Sequence, residues 1–132
     1  MRGKGMIEFQ HIGEINRALL EPTFGPLQTS LVVLTPECKA HILQEHAADF
    51  SYLEQHGATI VSSPDIILLD HKNAGTVLLI KQLPDTNLNM VVRLALATDP
   101  IGRINSVLTF YRLRNKNLKR LCALQKTLYK SE

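Results

Sequence analysis

Leu88-Asn89-Met90-Val91-Val92-Arg93-Leu94-Ala95-Leu96-Ala97 repeats with a period of two. Leu88, Met90, Val92, Leu94 and Leu96 fall on one side of an extended chain, and Asn89, Val91, Arg93, Ala95 and Ala97 on the other. That rhythm belongs to a strand with one packed face. The even positions read as core. The odd side carries Arg93 among small and apolar neighbours, where a guanidinium is costly unless it is paired or faces a solvated groove.

Strand signals continue on both sides. Asp65–His71 contains four consecutive apolar residues, Ile66 to Leu69. Lys72-Asn73-Ala74-Gly75 is turn chemistry, and Thr76–Leu83 is a second strand, so the pair reads as an antiparallel hairpin. Pro84–Asn87 turns into the third strand, Leu88–Ala97. A loop with Pro100 and Gly102 leads to a fourth, Ile104–Leu113.

Leu78 and Ile80 share a face of the second strand, and Val77, Leu79 and Lys81 share the other. In the fourth strand, Ile104, Leu108 and Phe110 read as core, leaving Asn105, Val107, Thr109 and Tyr111 opposite. With neighbours paired in order, Lys81, Arg93, Asn105, Thr109 and Tyr111 share one face. Two cations, an amide, a hydroxyl and a phenol would make a phosphate-binding floor. A partly solvated sheet face with scattered polar residues fits the same pattern. A one-residue bulge would exchange the two sets of side chains.

Helices flank the strands. Thr35 suits an N-cap, Pro36 the first helical position and Glu37 the positive end of the dipole, in a helix running to about Ala47. Phe50, Leu53, Ile60 and Val61 mark a second helical region, interrupted at Gly57 and ended by Ser62-Ser63-Pro64. Leu31–Leu34 is a short buried strand or the lead-in to the helix. Residues 1–30, with Pro22, Gly25 and Pro26, read as loops around short extended pieces. Asn115 caps a final helix with the stripe Leu118, Leu121, Cys122 and Leu124, and residues 127–130 add a short extended piece. Together these predict a single α+β domain over residues 1–132. Its N-terminal helices pack on a four-stranded antiparallel meander sheet, with a short C-terminal helix.

Composition bounds the function. Of 132 residues, 45% are hydrophobic and 20% charged, which is globular usage rather than disorder. The net charge of +3 is unevenly placed: from Tyr111 onward seven Lys and Arg face one Glu, so the remainder is acidic. A basic end calls for an anionic partner, with RNA or DNA the commonest, and equally suits a solvated face. Cys38 and Cys122 stand far apart without a Cys-x-x-Cys pair, unlike a secreted disulfide framework. The basic start lacks an apolar signal core, and no apolar run approaches the ~18 residues of a membrane helix, so a cytoplasmic protein without a membrane partner is expected. Five histidines lack metal-ligand spacing, and neither metal nor cofactor is expected.

An ordered series of residues carries a family resemblance. It runs Ile12-Gly13-Glu14-Ile15; Thr35-Pro36-Glu37 with His41-Ile42 and His46; Pro64-Asp65 with Asp70; Asn73 and Thr76; Val92-Arg93-Leu94; Asn105-Ser106 with Thr109; Lys119-Arg120; and Lys126 with Leu128-Tyr129-Lys130. Over nearly the whole chain, this resembles the phage-encoded barnase–EndoU–colicin–RelE-like nucleases. The resemblance implies a small antiparallel sheet with N-terminal helices and metal-independent RNA cleavage, in toxins or phage-associated effectors that meet an immunity or antitoxin protein. It places function on His41, His46, Arg93, Ser106 and Thr109, with Lys126 or Tyr129. Such domains usually carry a basic residue before the second histidine and often proline after it; here Glu45 and Ala47 stand there.

RNA cleavage needs no metal, because the 2′-hydroxyl can attack the adjacent phosphate. A histidine suits the proton transfers, Arg93 and Lys81 the developing charge, and Ser106 or Thr109 a hydrogen bond to a non-bridging oxygen. Asn105, Tyr111, Arg120 and Lys126 would hold the strand. The expected product is a 2′,3′-cyclic phosphate. His41 and His46 are five residues apart, so on one helix they point about 140° from each other. His41 is in phase with Glu37 and Glu45, which also suits a surface ion pair; His46 at a helix end also suits a C-cap. Ser106 falls on the core parity, so either the strand bulges or the hydroxyl is buried. The alternative to an enzyme is an inactive relative that binds nucleic acid, or a phage partner-binding module.

Overall fold

A computed structural model describes residues 9–131. The start of the chain, including its basic N-terminal residues, lies outside that range. In chain order the elements are β1 (Gln10–Glu14), α1 (Glu21–Phe24), β2 (Leu31–Leu34), α2 (Pro36–Glu45), α3 (Phe50–Ser62), β3 (Ile66–Leu69), β4 (Thr76–Gln82), β5 (Asn87–Arg93), β6 (Asn105–Leu113), α4 (Asn115–Leu124) and β7 (Lys126–Lys130).

The strands form one sheet in the order β1-β2-β6-β5-β4-β3-β7. Neighbours are antiparallel except β2 and β6, which run parallel through Val32 opposite Asn105 and Val33 opposite Ser106. The expectation of a four-stranded antiparallel meander sheet is therefore overturned: the sheet has seven strands and is mixed. β3 to β6 form its middle, while β2 and β1 extend one edge and β7 the other. The physical reason lies in the added strands. β1 and β7 each have a single partner and mixed exposure, so neither shows a clean alternation or an apolar run.

Helices cover both faces. On one face α3 buries Phe50, Leu53, Ile60 and Val61 against a core that includes Leu79, Met90, Val92 and Phe110. Burying each such large side chain contributes about 1.5–3 kcal/mol. Gly57 does not interrupt α3. It is buried there because an added Cβ would meet Ile12 Cγ2 at 3.0 Å, so the missing side chain lets β1 approach the helix. On the other face α4 lays Leu118, with Leu121 and Cys122, over Ile66, Leu68, Leu78 and Ile80.

α2 starts as expected, with the Thr35 hydroxyl accepting from the Cys38 amide at 3.1 Å. Such a cap contributes about 1 kcal/mol. Asn115 is the first residue of α4 rather than its cap; its side-chain oxygen accepts from Asn87 Nδ2 at 2.8 Å.

Candidate active site and nucleic-acid interface

Register decides which side chains meet. In the β5–β6 ladder Tyr111 faces Asn89, Thr109 faces Val91, Val107 faces Val92 and Ser106 faces Arg93. One residue, Leu108, is therefore extra, and the strand bulges there. The bulge reverses parity below it. Ser106 joins Thr109, Tyr111 and Arg93 on the face that α4 partly covers, whereas Val107 and Asn105 turn to the opposite side. Leu108, read as core, is 44% exposed.

α4 leaves part of this face open. Arg93, Ser106, Thr109 and Tyr111 are all half-buried along it. His46 reaches its margin from α2. The short β2 pairs only with the start of β6, so the remaining edge of β6 is free of strands, and the segment from α2 to Phe50 covers it. Cys38 Sγ donates to the Leu108 carbonyl at 3.4 Å, and the Arg112 amide donates to Asp49 Oδ2 at 3.2 Å. Burial pushes the Cys38 thiol up to about 11, so it stays a protonated packing group. Arg112 Nε sits 2.5 Å from Asp49 Oδ1, and that carboxylate raises the guanidinium further above its ordinary value. His46 closes α2, its amide donating to the Ile42 carbonyl at 2.7 Å, and its ring stacks on Tyr111 with centroids 5.4 Å apart.

At the other end of the row Arg93 is held in place. Its Nη2 lies 3.1 Å from Asp99 Oδ1, and Nη1 donates to the Leu94 carbonyl. The side chain runs across Gly75, where an added Cβ would collide with the guanidinium. Asp99 also accepts from the Leu96 amide at 2.8 Å. That bond first, then Arg93 and Arg103, hold its carboxyl below the usual carboxylate range. Two guanidiniums around one carboxylate leave the neighbourhood net positive. Gln28 fixes the loop that bears Asp99: its amide nitrogen donates to the carbonyls of Leu96, Asp99 and Pro100, and its oxygen accepts from the Gly102 amide.

The remaining sequence-predicted residues lie elsewhere. Lys81 stands opposite Leu88, on the α3 side of the sheet and away from Arg93, with its ammonium on the Ser63 carbonyl at 2.8 Å and Asp65 at 3.4 Å. Asn105 is fully buried; its side chain bonds the Ala95 amide and the Thr29 and Leu31 carbonyls, a structural role. His41 is exposed on α2, and Arg120 and Lys126 are exposed on α4 and β7. Asp99 and Arg103 were not singled out from the sequence and Gly75 was read only as a turn residue, although Asp99-Pro100 beside Gly102 marks a turn that returns the chain to Arg93.

The row has two ends. Tyr111, under His46, and Ser106, opposite Arg93, are five residues apart on β6, about 15 Å at the rise of a strand. One phosphate cannot touch both. An extended polynucleotide can. No family model, curated protein or solved structure matches this chain.

Proposed function

We propose that this chain is a metal-independent ribonuclease that lays its substrate along β6, on the part of the sheet face beside α4. The β6 bulge carries the reading, because it sets Ser106, Thr109 and Tyr111 in one row with Arg93 and leads that row to His46. His46 exchanges the proton of the attacking 2′-hydroxyl, as imidazoles do near neutral pH. Tyr111 orients the ring and Thr109 donates to a non-bridging oxygen. Arg93, with Arg103 beyond Asp99, holds a neighbouring phosphate through charge and Ser106 through its hydroxyl. The 2′-oxygen gives its proton to His46 and bonds to phosphorus, the bond from phosphorus to the 5′-oxygen breaks, that oxygen leaves with a proton from solvent, to which His46 returns its own, and a 2′,3′-cyclic phosphate remains. A toxin or phage effector with an immunity protein as partner would use such chemistry.

The test is incubation of purified protein with RNA in excess EDTA. Cyclic phosphate ends are expected, and they should be lost in His46→Ala and Arg93→Ala while both variants keep the wild-type circular dichroism. Cleavage that needs a divalent metal, or survives in both variants, removes the mechanism. One observation favours a second reading, binding without cleavage: Asp99 already shares the charge of Arg93. Salt-sensitive RNA binding with no product would establish it.

A further inference from the structure

A second site stands on the far side of α4, away from the row on β6. α4 and the strands beneath it border an open groove of about 590 Å³. Ile66, Leu118 and Cys122 make its aliphatic floor, and Lys116, Lys119 and Lys130 stand around it. Among the described residues no carboxylate lines it, and no aromatic ring is there to stack on a base.

The groove borders the sheet edge at β7, which among the described residues pairs with β3 alone. The Ser131 amide donates inward to the Asp65 carbonyl at 2.7 Å. Backbone direction alternates along a strand, so the Lys130 amide points out to the open edge. A second copy of this chain is a poor occupant. Pairing β7 with a second β7 would bring two basic edges, each carrying Lys126 and Lys130, alongside one another. The bulge at Leu128 also twists the edge against such pairing.

We propose that an acidic, extended segment of a partner polypeptide adds a strand to β7, seats an aliphatic side chain on Ile66, Leu118 and Cys122, and sets carboxylates against Lys116, Lys119 and Lys130. Charge complementarity chooses the partner, the open edge supplies main-chain hydrogen bonds, and the aliphatic floor supplies the anchor. This site is independent of the catalytic reading, and its readout involves no cleavage.

The experiment uses the full chain and four probes: short blocked peptides alternating Glu with Val, Glu with Ser and Lys with Val, and a short oligouridylate. Binding is followed by fluorescence anisotropy and by amide hydrogen exchange. The Glu/Val peptide should bind, slow exchange at the outward amides of β7, Lys130 first, and exceed the Glu/Ser peptide by about tenfold, as the loss of an apolar anchor predicts. Lys116→Glu with Lys130→Glu, both exposed positions, should lose the Glu/Val peptide and gain the Lys/Val peptide. Equal binding of Glu/Val and Glu/Ser, indifference to the charge reversal, or stronger protection of β7 by oligouridylate would each overturn the proposal.

Discussion

Ser106 is the cross-strand partner of Arg93, a position it holds only because Leu108 is bulged out of the β5–β6 ladder. A carboxylate introduced there would sit directly opposite the guanidinium. Ser106→Asp should therefore engage Arg93 in a second ion pair and weaken RNA binding at least tenfold. Anisotropy over a salt series is the check, and the variant should show a shallower salt slope as a phosphate contact is lost. An unchanged slope would separate the pair from RNA contact.

Asp99 should act as a brake on the same phosphate contact. Asp99→Asn keeps an acceptor for the Leu96 amide and removes the charge, so RNA affinity should rise several-fold. Acid does the same work in the native chain. Because the folded carboxyl lies below its ordinary value of about 3.9, its stabilising tie is complete above that pH and is lost as pH falls through the lowered value. Protection of the Leu96 amide, its exchange rate relative to a free peptide amide at the same pH, should fall only below about pH 4. Protection already absent at neutral pH would show that the tie contributes nothing.

Gly75 has φ +69° and lies under Arg93. Gly75→Ala meets an unfavourable backbone conformation and the guanidinium together. A loss of about 1 kcal/mol or more is expected in urea unfolding, accompanied by loss of cleavage. Stability lost with activity intact would detach Arg93 from the reaction.

Asn89 is fully buried opposite Ile80 and Tyr111, and neither its side-chain oxygen nor its nitrogen has a partner. Asn89→Val is closer in volume than leucine would be and carries no polar atoms to strand. It should stabilise the fold by about 1–2 kcal/mol in urea unfolding. Destabilisation would mean that the carboxamide makes contacts beyond those described.

The alternation of residues 88–93 was legible because Leu88, Met90 and Val92 enter the α3 core while Arg93 lies on the other face, although the strand ends at Arg93 and not at Ala97. β4 was not. Thr76 through Ile80 are all buried, since α3 covers one face and α4 the other, and a strand apolar on both sides carries no parity signal. Lys81 was consequently grouped with Arg93, although Leu79 opposite Met90 places it on the α3 side. Asn105 was misassigned for another reason: the β6 bulge changes parity between Thr109 and Val107, and no residue type announces it. Helix geometry kept His41 and His46 apart unless the helix ended between them; α2 does end at Glu45, and His46, as its C-cap, stacks on Tyr111 while His41 stays exposed on the helix.

The parallel pairing of Val32 with Asn105 constrains how the molecule comes into being. β2 emerges early in synthesis, yet its neighbour in the sheet is made only after α3 and the whole hairpin series. Until then β1 and β2 can pair with each other and lean on α3, but the ribbon lacks its neighbour in the sheet and is marginal in water. Closure across such a sequence separation is entropically slow. The N-terminal ribbon should therefore lock last on refolding, and the β2–β6 seam should be where a nascent or stressed chain first exposes an aggregation-prone border.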